Sequence, residues 1–238
     1  MDTTIIILSY NSEKNIKNCF NQINNFKDHF NYNIVFVDNN SSDNTVKAII
    51  KYREEYKLEK KVKIIKNLNN YNQGGSIKIA IRHFMLTKSE NILLVHSSGK
   101  CKIDDVVNNF FEVKLSNMDV DVIHASRFHK LSKLNNYSKK NIIGNIFFNY
   151  LTYLFTSFWF SDSGCGILFA SKRAFDNINF ECLTNGPQFN PQLNILFKKN
   201  KIKITECKLN WSHGIVKTNV KVIKYSFVLI YILIEYFF

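Results

Sequence analysis

The stretch Asn33-Ile34-Val35-Phe36-Val37-Asp38-Asn39-Asn40-Ser41-Ser42-Asp43-Asn44-Thr45 decides the fold. Its first five residues are mostly β-branched or aromatic and read as a strand. The strand breaks at Asp38 into a polar loop, and apolar positions at helical spacing follow across 46–56. The same strand–loop–helix unit precedes it. Thr3–Ser9 is a β-branched run, and Ile16, Cys19, Phe20, Ile23 and Phe26 then recur at helical spacing. The unit continues afterwards, with strands expected at 62–65, 92–95 and 120–125 and helices at 73–86 and 104–115. Alternation of this kind implies an α/β fold whose mostly parallel sheet is covered on both faces. Ligands of such sheets bind beyond the carboxyl ends of the strands. Four polar clusters fall there: Ser9-Tyr10-Asn11, Asp38-Asn39-Asn40-Ser41, His96-Ser97-Ser98-Gly99-Lys100 and Ser126-Arg127.

Composition bounds what this sheet can serve. The chain has 238 residues, 45% of them hydrophobic, which supports a sizeable core and excludes wholesale disorder. Two prolines and eight glycines exclude linker-rich and collagen-like designs. The formal charge of +13 admits nucleic acid, an anionic membrane or a nucleotide as partner. The lysines are dispersed and no nucleic-acid-binding motif occurs, so nucleic acid is not expected. No Gly-x-Gly-x-x-Gly follows the first strand, which argues against a dinucleotide-binding dehydrogenase. Cys19, Cys101, Cys165, Cys182 and Cys207 are odd in number and lack Cys-x-x-Cys spacing, as expected of reduced thiols on the cytosolic side. The N-terminus has no basic region and too short an apolar run for a secretory signal.

The second half changes character. Residues 141–161 carry no charge and are crowded with aromatics. Asn141, Asn145, Asn149, Thr152 and Thr156 recur three or four residues apart and form one polar stripe on a helix. The residues leave open a helix packed on the core and a helix in a membrane interface, and favour either over a span. At the end, Lys217, Lys221 and Lys224 precede the apolar run 225–238. That run makes roughly 21 Å of helix at about 1.5 Å per residue, less than the ~30 Å hydrocarbon core. A basic segment before aromatic turns suits an anionic membrane surface; docking on the core or on another subunit is the other reading. The organisation expected is a domain over 1–216 and an appended basic-then-apolar helix over 217–238.

Several side chains could carry chemistry. Asp38 is a carboxylate at the sheet edge, a position that suits a turn as well as a ligand. Asn72-Gln73-Gly74-Gly75 opens a helix whose amides could meet a phosphate or a loop carbonyl. Arg127, one of four arginines, is a candidate phosphate fork. Asp162-Ser163-Gly164-Cys165-Gly166 is a tight polar turn after the aromatic segment.

The order of these segments resembles the family 2 glycosyltransferases of GT-A fold, particularly the dolichyl/polyprenyl-phosphate sugar synthases. Leu8-Ser9-Tyr10-Asn11 is similar to the family's opening Pro-x-Tyr-Asn-Glu. The segment 37–45 is similar to Val-Asp-(Asp/Asn)-x-Ser-x-Asp-x-Thr, and Asn72-Gln73-Gly74 to Asn-x-Gly. Ala125-Ser126-Arg127 resembles Gly-Ser-Arg, and Asp162 through Gly166 resembles Asp-x-x-x-Gly. Phe189-Asn190-Pro191-Gln192 through Glu206 to Trp211 resembles the last helix and strand.

The resemblance implies a three-layer GT-A sandwich and transfer of a sugar from a nucleotide-sugar donor to an acceptor such as a polyprenyl phosphate. It implies nucleotide contacts from Leu8, Ser9, Tyr10, Asp38, Asn72, Gly74 and Ser98. It places Arg127 near a phosphate, and Asp162, Gly166, Gln192 and His213 on the acceptor side. The cysteine pattern, the N-terminus, the aromatic segment and the basic-then-apolar end together lead to the expectation of a cytoplasmic protein, peripheral on the cytosolic face of a membrane.

The departures are as informative. Where the family has Asp-x-Asp-x-Gln to hold Mg²⁺ or Mn²⁺, the same register reads His96-Ser97-Ser98-Gly99-Lys100. A hard dication wants carboxylate oxygens, and none remains there, so no metal or other cofactor is expected. The acidic residue common at the position of Gln192 is also missing. One reading is a metal-independent transferase in which Lys100, helped by His96 and Arg127, neutralises the leaving diphosphate. Two others stay open: an inactive homologue that binds a nucleotide or partner, and a transferase completed by a partner subunit. Lys100 as a solvated loop lysine is the simplest alternative.

Overall fold

The computed structural model describes residues 2–26, 31–212 and 228–234. Its strands are β1 (Thr3–Ser9), β2 (Tyr32–Asp38), β3 (Val62–Lys66), β4 (Asn91–His96), β5 (Val122–Ser126), β6 (Leu134–Asn135), β7 (Leu168–Ser171), β8 (Ile204–Lys208) and β9 (Trp211–Ser212). Its helices are α1 (Glu13–Phe26), α2 (Thr45–Glu55), α3 (Asn72–Met85), α4 (Ile103–Ser116), α5 (Lys139–Thr156) and α6 (Phe189–Lys199).

The main sheet has seven strands in the order β3-β2-β1-β4-β7-β5-β8. All neighbours run parallel except β7, which is antiparallel to both β4 and β5. This is the mostly parallel α/β sandwich expected from the sequence, consistent with a GT-A-like architecture. The antiparallel insertion has a consequence for the site. The loop that leads into β7 leaves the same sheet edge as the loops that follow its parallel neighbours. Residues 161–166 are therefore delivered to the carboxyl edge.

Every residue of β1 is buried, as expected of a strand covered on both faces. Ile5 and Ile7 point into one core, with Phe20 of α1, Phe36 of β2 and Phe110 of α4. Ile6 and Leu8 point into the other, with Ile77 and Phe84 of α3 and Phe189 of α6. That alternation is the period of two of a strand. The four buried cysteines, Cys19, Cys101, Cys165 and Cys207, are free thiols. Burial pushes the pKa of Cys19, Cys101 and Cys207 up to about 12 and that of Cys165 well above the usual thiol range. Thiols held protonated in this way are inert.

α5 begins where Ser138 Oγ accepts from the Asn141 amide (3.2 Å), and it stops at Ser157 in the left-handed region (φ 57°). Its polar stripe faces the protein: Asn149, Thr152 and Thr156 are buried, while Phe147, Tyr150 and Leu154 are exposed. Among the described residues no helix is long and apolar enough to cross a membrane. Of the expected C-terminal helix, 228–234 is helical, and Leu229 and Leu233 pack with Ile195 against Phe148, Leu151, Phe155 and Phe158. Lys217, Lys221 and Lys224 lie outside the described residues.

Candidate functional site

The carboxyl edge gathers the polar clusters in one place. At the ends of β1 and β2 the loops are tied together. Asp38 is fully buried, and its carboxylate accepts from the Ser41 amide (3.1 Å) and hydroxyl (2.5 Å). Ser41 Oγ in turn accepts from the Asn11 amide (2.9 Å), and the Asn39 amide donates to the Ser9 carbonyl (2.8 Å). Asp38 therefore braces a turn, and Ser9 is buried beneath it, while Tyr10 lies exposed at the rim. The Leu8 carbonyl accepts from the Ser97 amide (3.0 Å), which locks the β4 end to β1.

The N-terminus of α3 closes the next side. The amides of Gly74 and Gly75 donate to the Asn185 carbonyl (2.8 and 3.2 Å), so the loop-carbonyl alternative is the one realised. A Cβ on Gly74 would stand 2.5 Å from the Thr184 carbonyl oxygen and 2.7 Å from Phe189 Cβ, and only glycine fits. Asn72, at φ 60°, is exposed, and its carbonyl accepts from Asn39 Nδ2 (3.3 Å). Gln192 turns toward the same loop, its Oε1 accepting from the Thr184 amide (2.9 Å) and hydroxyl (2.8 Å).

The floor is Gly166. A Cβ there would meet Gln73 Nε2 at 2.7 Å, Asn190 Nδ2 at 2.9 Å and His96 Nε2 at 3.1 Å. Three nitrogen-bearing side chains from α3, α6 and the end of β4 thus converge over one glycine. Asn190 Oδ1 is buried with no hydrogen-bond partner among the described residues. Burial, then the nearby Lys100 charge, push the His96 pKa down to about 4 against an opposing hydrogen bond to the Gly166 backbone. His96 is therefore a neutral imidazole at neutral pH. His124, buried in β5, is also shifted down by burial.

These shifts predict acid sensitivity. Both histidines bind a proton less readily folded than unfolded, where the ordinary value is 6.5. Their stabilising contribution is complete above pH 6.5 and is lost as the pH falls toward 4. Thermal melts between pH 7 and 4 should show a falling midpoint, and His96→Gln should flatten that slope. A slope unchanged by the substitution would refute the assignment to His96.

The fourth side carries the charges. Arg127 Nε and an Nη donate to the two oxygens of Asp162 (2.7 and 2.6 Å), and the Arg127 amide adds a third bond (2.9 Å). The remaining Nη donates to Tyr137 Oη (2.9 Å), and Asn145 Oδ1 of α5 accepts at 3.3 Å. Burial alone would lower the Arg127 pKa; the Asp162 charge and hydrogen bonds outweigh it and raise it. The guanidinium is thus a buried strut for the 161–166 loop rather than an open fork. Glu206 supports the same loop, accepting from the Ser161 amide (2.9 Å) and hydroxyl (2.7 Å). Asn149 Oδ1 accepts from the Ser163 amide (3.0 Å) and hydroxyl (2.8 Å).

Lys100 differs from Arg127. Among the described residues it makes no ion pair, and Ser98 beside it is half-buried. Its Nζ lies 6.0 Å from the Trp211 ring centroid, and the Arg127 guanidinium lies 5.5 Å from the same ring. Pairing of β6 with β9 brings that ring here. Burial and then the Arg127 charge lower the Lys100 pKa. Two cations held this close, one without a counter-charge, favour an anion between or above them.

Of the sequence-derived candidates, Leu8, Ser9, Asp38, Ser98, His96, Lys100, Arg127, Asp162 and Gly166 meet around this edge, with Tyr10 and Asn72 at its rim. Gly74 and Gln192 shape its wall, and His213 lies outside the described residues. Sequence reasoning missed Gln73 as a converging group, and it missed Tyr137, Asn145 and Asn149 as supports. The polar stripe of 141–156 was the signal for the last two, but spacing does not tell which way a stripe faces.

A family model described as glycosyl transferase family 2 matches residues 4–177. A UDP-N-acetylglucosamine–dolichyl-phosphate N-acetylglucosaminyltransferase of Methanococcus voltae is 26% identical over 212 residues, covering 85% of this chain and 82% of that protein. A mouse dolichyl-phosphate beta-glucosyltransferase is 25% identical over 235 residues, covering 88% of this chain and 67% of that enzyme. Among solved structures, glucosyl-3-phosphoglycerate synthase from Mycobacterium tuberculosis, in complex with Mn²⁺, UDP-glucose and phosphoglyceric acid, superposes with a TM-score of 0.71. That match is 12% identical, covers 98% of this chain and 79% of that one, and speaks to the fold.

Proposed function

The chain belongs to glycosyl transferase family 2, and on that premise we propose that it transfers a sugar from a nucleotide-sugar to a polyprenyl phosphate without a metal held by paired carboxylates. The observation that carries the reading is the end of β4. The residues there do not fit a hard dication. His96 is half-buried against Gly166, Ser98 offers a neutral hydroxyl, and Lys100 brings a positive charge. Asp104 accepts from Asn25 (2.7 Å) in the first turn of α4, and Asp162 is paired with Arg127. Among the described residues no three His, Cys, Asp or Glu side chains lie together as a metal site needs.

Lys100 then does the electrostatic work. An acceptor phosphate oxygen attacks the anomeric carbon while the bond from that carbon to the diphosphate oxygen breaks. The bonding electrons leave on the nucleoside diphosphate, whose added charge the Lys100 ammonium neutralises. A phosphate monoester is already largely ionised near neutral pH, its second pKa being about 6. No general base is required, which agrees with the amide at Gln192. The two dolichyl-phosphate transferases similar to this chain support the acceptor class.

A panel of nucleotide-sugars with a polyprenyl phosphate and the full chain tests the proposal. Formation of a prenyl-phosphate sugar is the expected result. Binding of nucleotide without product in any pairing would favour the alternative, an inactive homologue that serves as a nucleotide- or partner-binding module.

A further inference from the structure

The face of the sheet that α3 covers changes character toward the amino ends of its strands. In the core under α3, β1 presents Ile6 and Leu8, β2 presents Val35 and Val37, and β3 presents Ile65. One step of two residues nearer the amino ends, the same face carries Thr4, Asn33 and Lys63. The registers set Thr4 beside Asn33 and Lys63 beside Val35, so the polar patch crosses three adjacent strands. α3 stops at Met85, and beyond its last turn this patch becomes the floor of a cavity of about 350 Å³. His83 in that turn, with Leu86 and Lys88 on the way to β4, forms the wall. Thr4 stands five residues before Ser9 in β1, a separation of roughly 17 Å along a strand. The cavity is therefore distinct from the site at the carboxyl edge.

We propose that this cavity binds a small, soluble phosphate monoester with a compact apolar body. Four side chains that can donate line it, each from a different part of the chain: Asn33 of β2, Lys63 of β3, His83 of α3 and Lys88 beyond that helix. Among the described residues none of these four side chains makes a hydrogen bond or an ion pair. Donors from several directions suit a phosphoryl group, whose three terminal oxygens all accept; a carboxylate offers two oxygens in one plane. The acid of the lining is already engaged. Asp2 accepts from Ser89 Oγ (3.2 Å), which itself accepts from Thr4 Oγ1 (2.9 Å). Two lysines against one aspartate leave the lining positive even with His83 neutral.

Burial, and then the Lys63 charge, hold the His83 imidazole below its ordinary pKa. An anion between the two groups would offset the second cause. The apolar body is read from Leu86, which is 88% exposed, and from Val35 on the floor. Pockets that hold small molecules run from roughly 300 to 1,000 Å³, and a concavity near the lower end takes one compact ligand. The inference stands apart from the transferase reading, since no residue of the carboxyl edge enters it.

The test is a titration of the full chain with phenyl phosphate, followed by the histidine ring resonances in NMR. Those of His83 are identified by their loss in His83→Gln. Phenyl phosphate should move the His83 resonances saturably. Inorganic phosphate should bind at least about tenfold more weakly, because it leaves Leu86 and Val35 without an apolar partner. The double variant Lys63→Gln, Lys88→Gln alters two exposed side chains. It should keep the wild-type melting profile and lose phenyl phosphate affinity at least about tenfold. Lys100→Ala should leave the titration unchanged. A His83 signal that does not move, or a double variant that binds as well as wild type, would overturn the proposal. So would inorganic phosphate binding as tightly as the ester. Loss of the response in Lys100→Ala would also overturn it, by placing the anion at the carboxyl edge.

Discussion

Lys100→Ala should lower the rate of sugar transfer about 100- to 1000-fold, the usual loss when one preorganised electrostatic group is removed from a developing anion. The effect follows from the absence, among the described residues, of another uncommitted cation beside Arg127. Every Arg127 nitrogen is engaged by Asp162, Tyr137 or Asn145, whereas Lys100 has no carboxylate partner among the described residues. The fold should not suffer. The ammonium holds no structural bond among the described residues, and removing it relieves repulsion from Arg127. Lys100→Arg should recover part of the rate, because charge is retained while shape is not. Steady-state kinetics with matched thermal melts checks both variants. A Lys100→Ala enzyme as fast as wild type would identify Lys100 as a solvated loop residue.

Asp162→Ala should cost about 3–5 kcal/mol of stability, because it strands the Arg127 guanidinium in the interior. The side chain of Arg127 is 11% exposed and that of Asp162 is fully buried. For a domain of this size that loss corresponds to a fall in melting temperature of about 6–20 °C. The double variant Arg127→Met, Asp162→Leu removes both charges and should recover most of the loss, as buried pairs replaced by apolar groups of similar size usually do. Chemical denaturation of the three proteins measures this. A single-variant loss below about 1 kcal/mol, the range of surface pairs, would show that the strut is solvated.

The sheet was legible because its inner strands are buried on both faces and read as apolar runs, with the edge strand β3 set off by the helices around it. Thr3–Ser9, Tyr32–Asp38 and Val62–Lys66 fall within a residue or so of the expected strands. The antiparallel β7 was not legible. Leu168–Ser171 is four residues long, and nothing in its pattern tells direction. The clusters at the carboxyl edge were legible as places, since strand ends determine where a loop emerges. Their internal partners were not. Arg127 looked like a free fork because pairing with Asp162, thirty-five residues on, depends on the insertion of β7. For the amides of Gly74 and Gly75 a phosphate and a loop carbonyl were equally open, because only the folded chain brings the Asn185 carbonyl to them. The polar stripe of α5 was visible in its spacing, and its inward orientation became visible only once Asn145 and Asn149 had partners to face.

The most direct test of the central claim is the initial rate of sugar transfer from nucleotide-sugar to polyprenyl phosphate by the full chain in excess EDTA, compared with the rate after Mn²⁺ or Mg²⁺ is restored. A site that relies on Lys100 should turn over in EDTA, with the rate unchanged within error by either metal. Activity that vanishes in EDTA and returns with the dication would contradict the account.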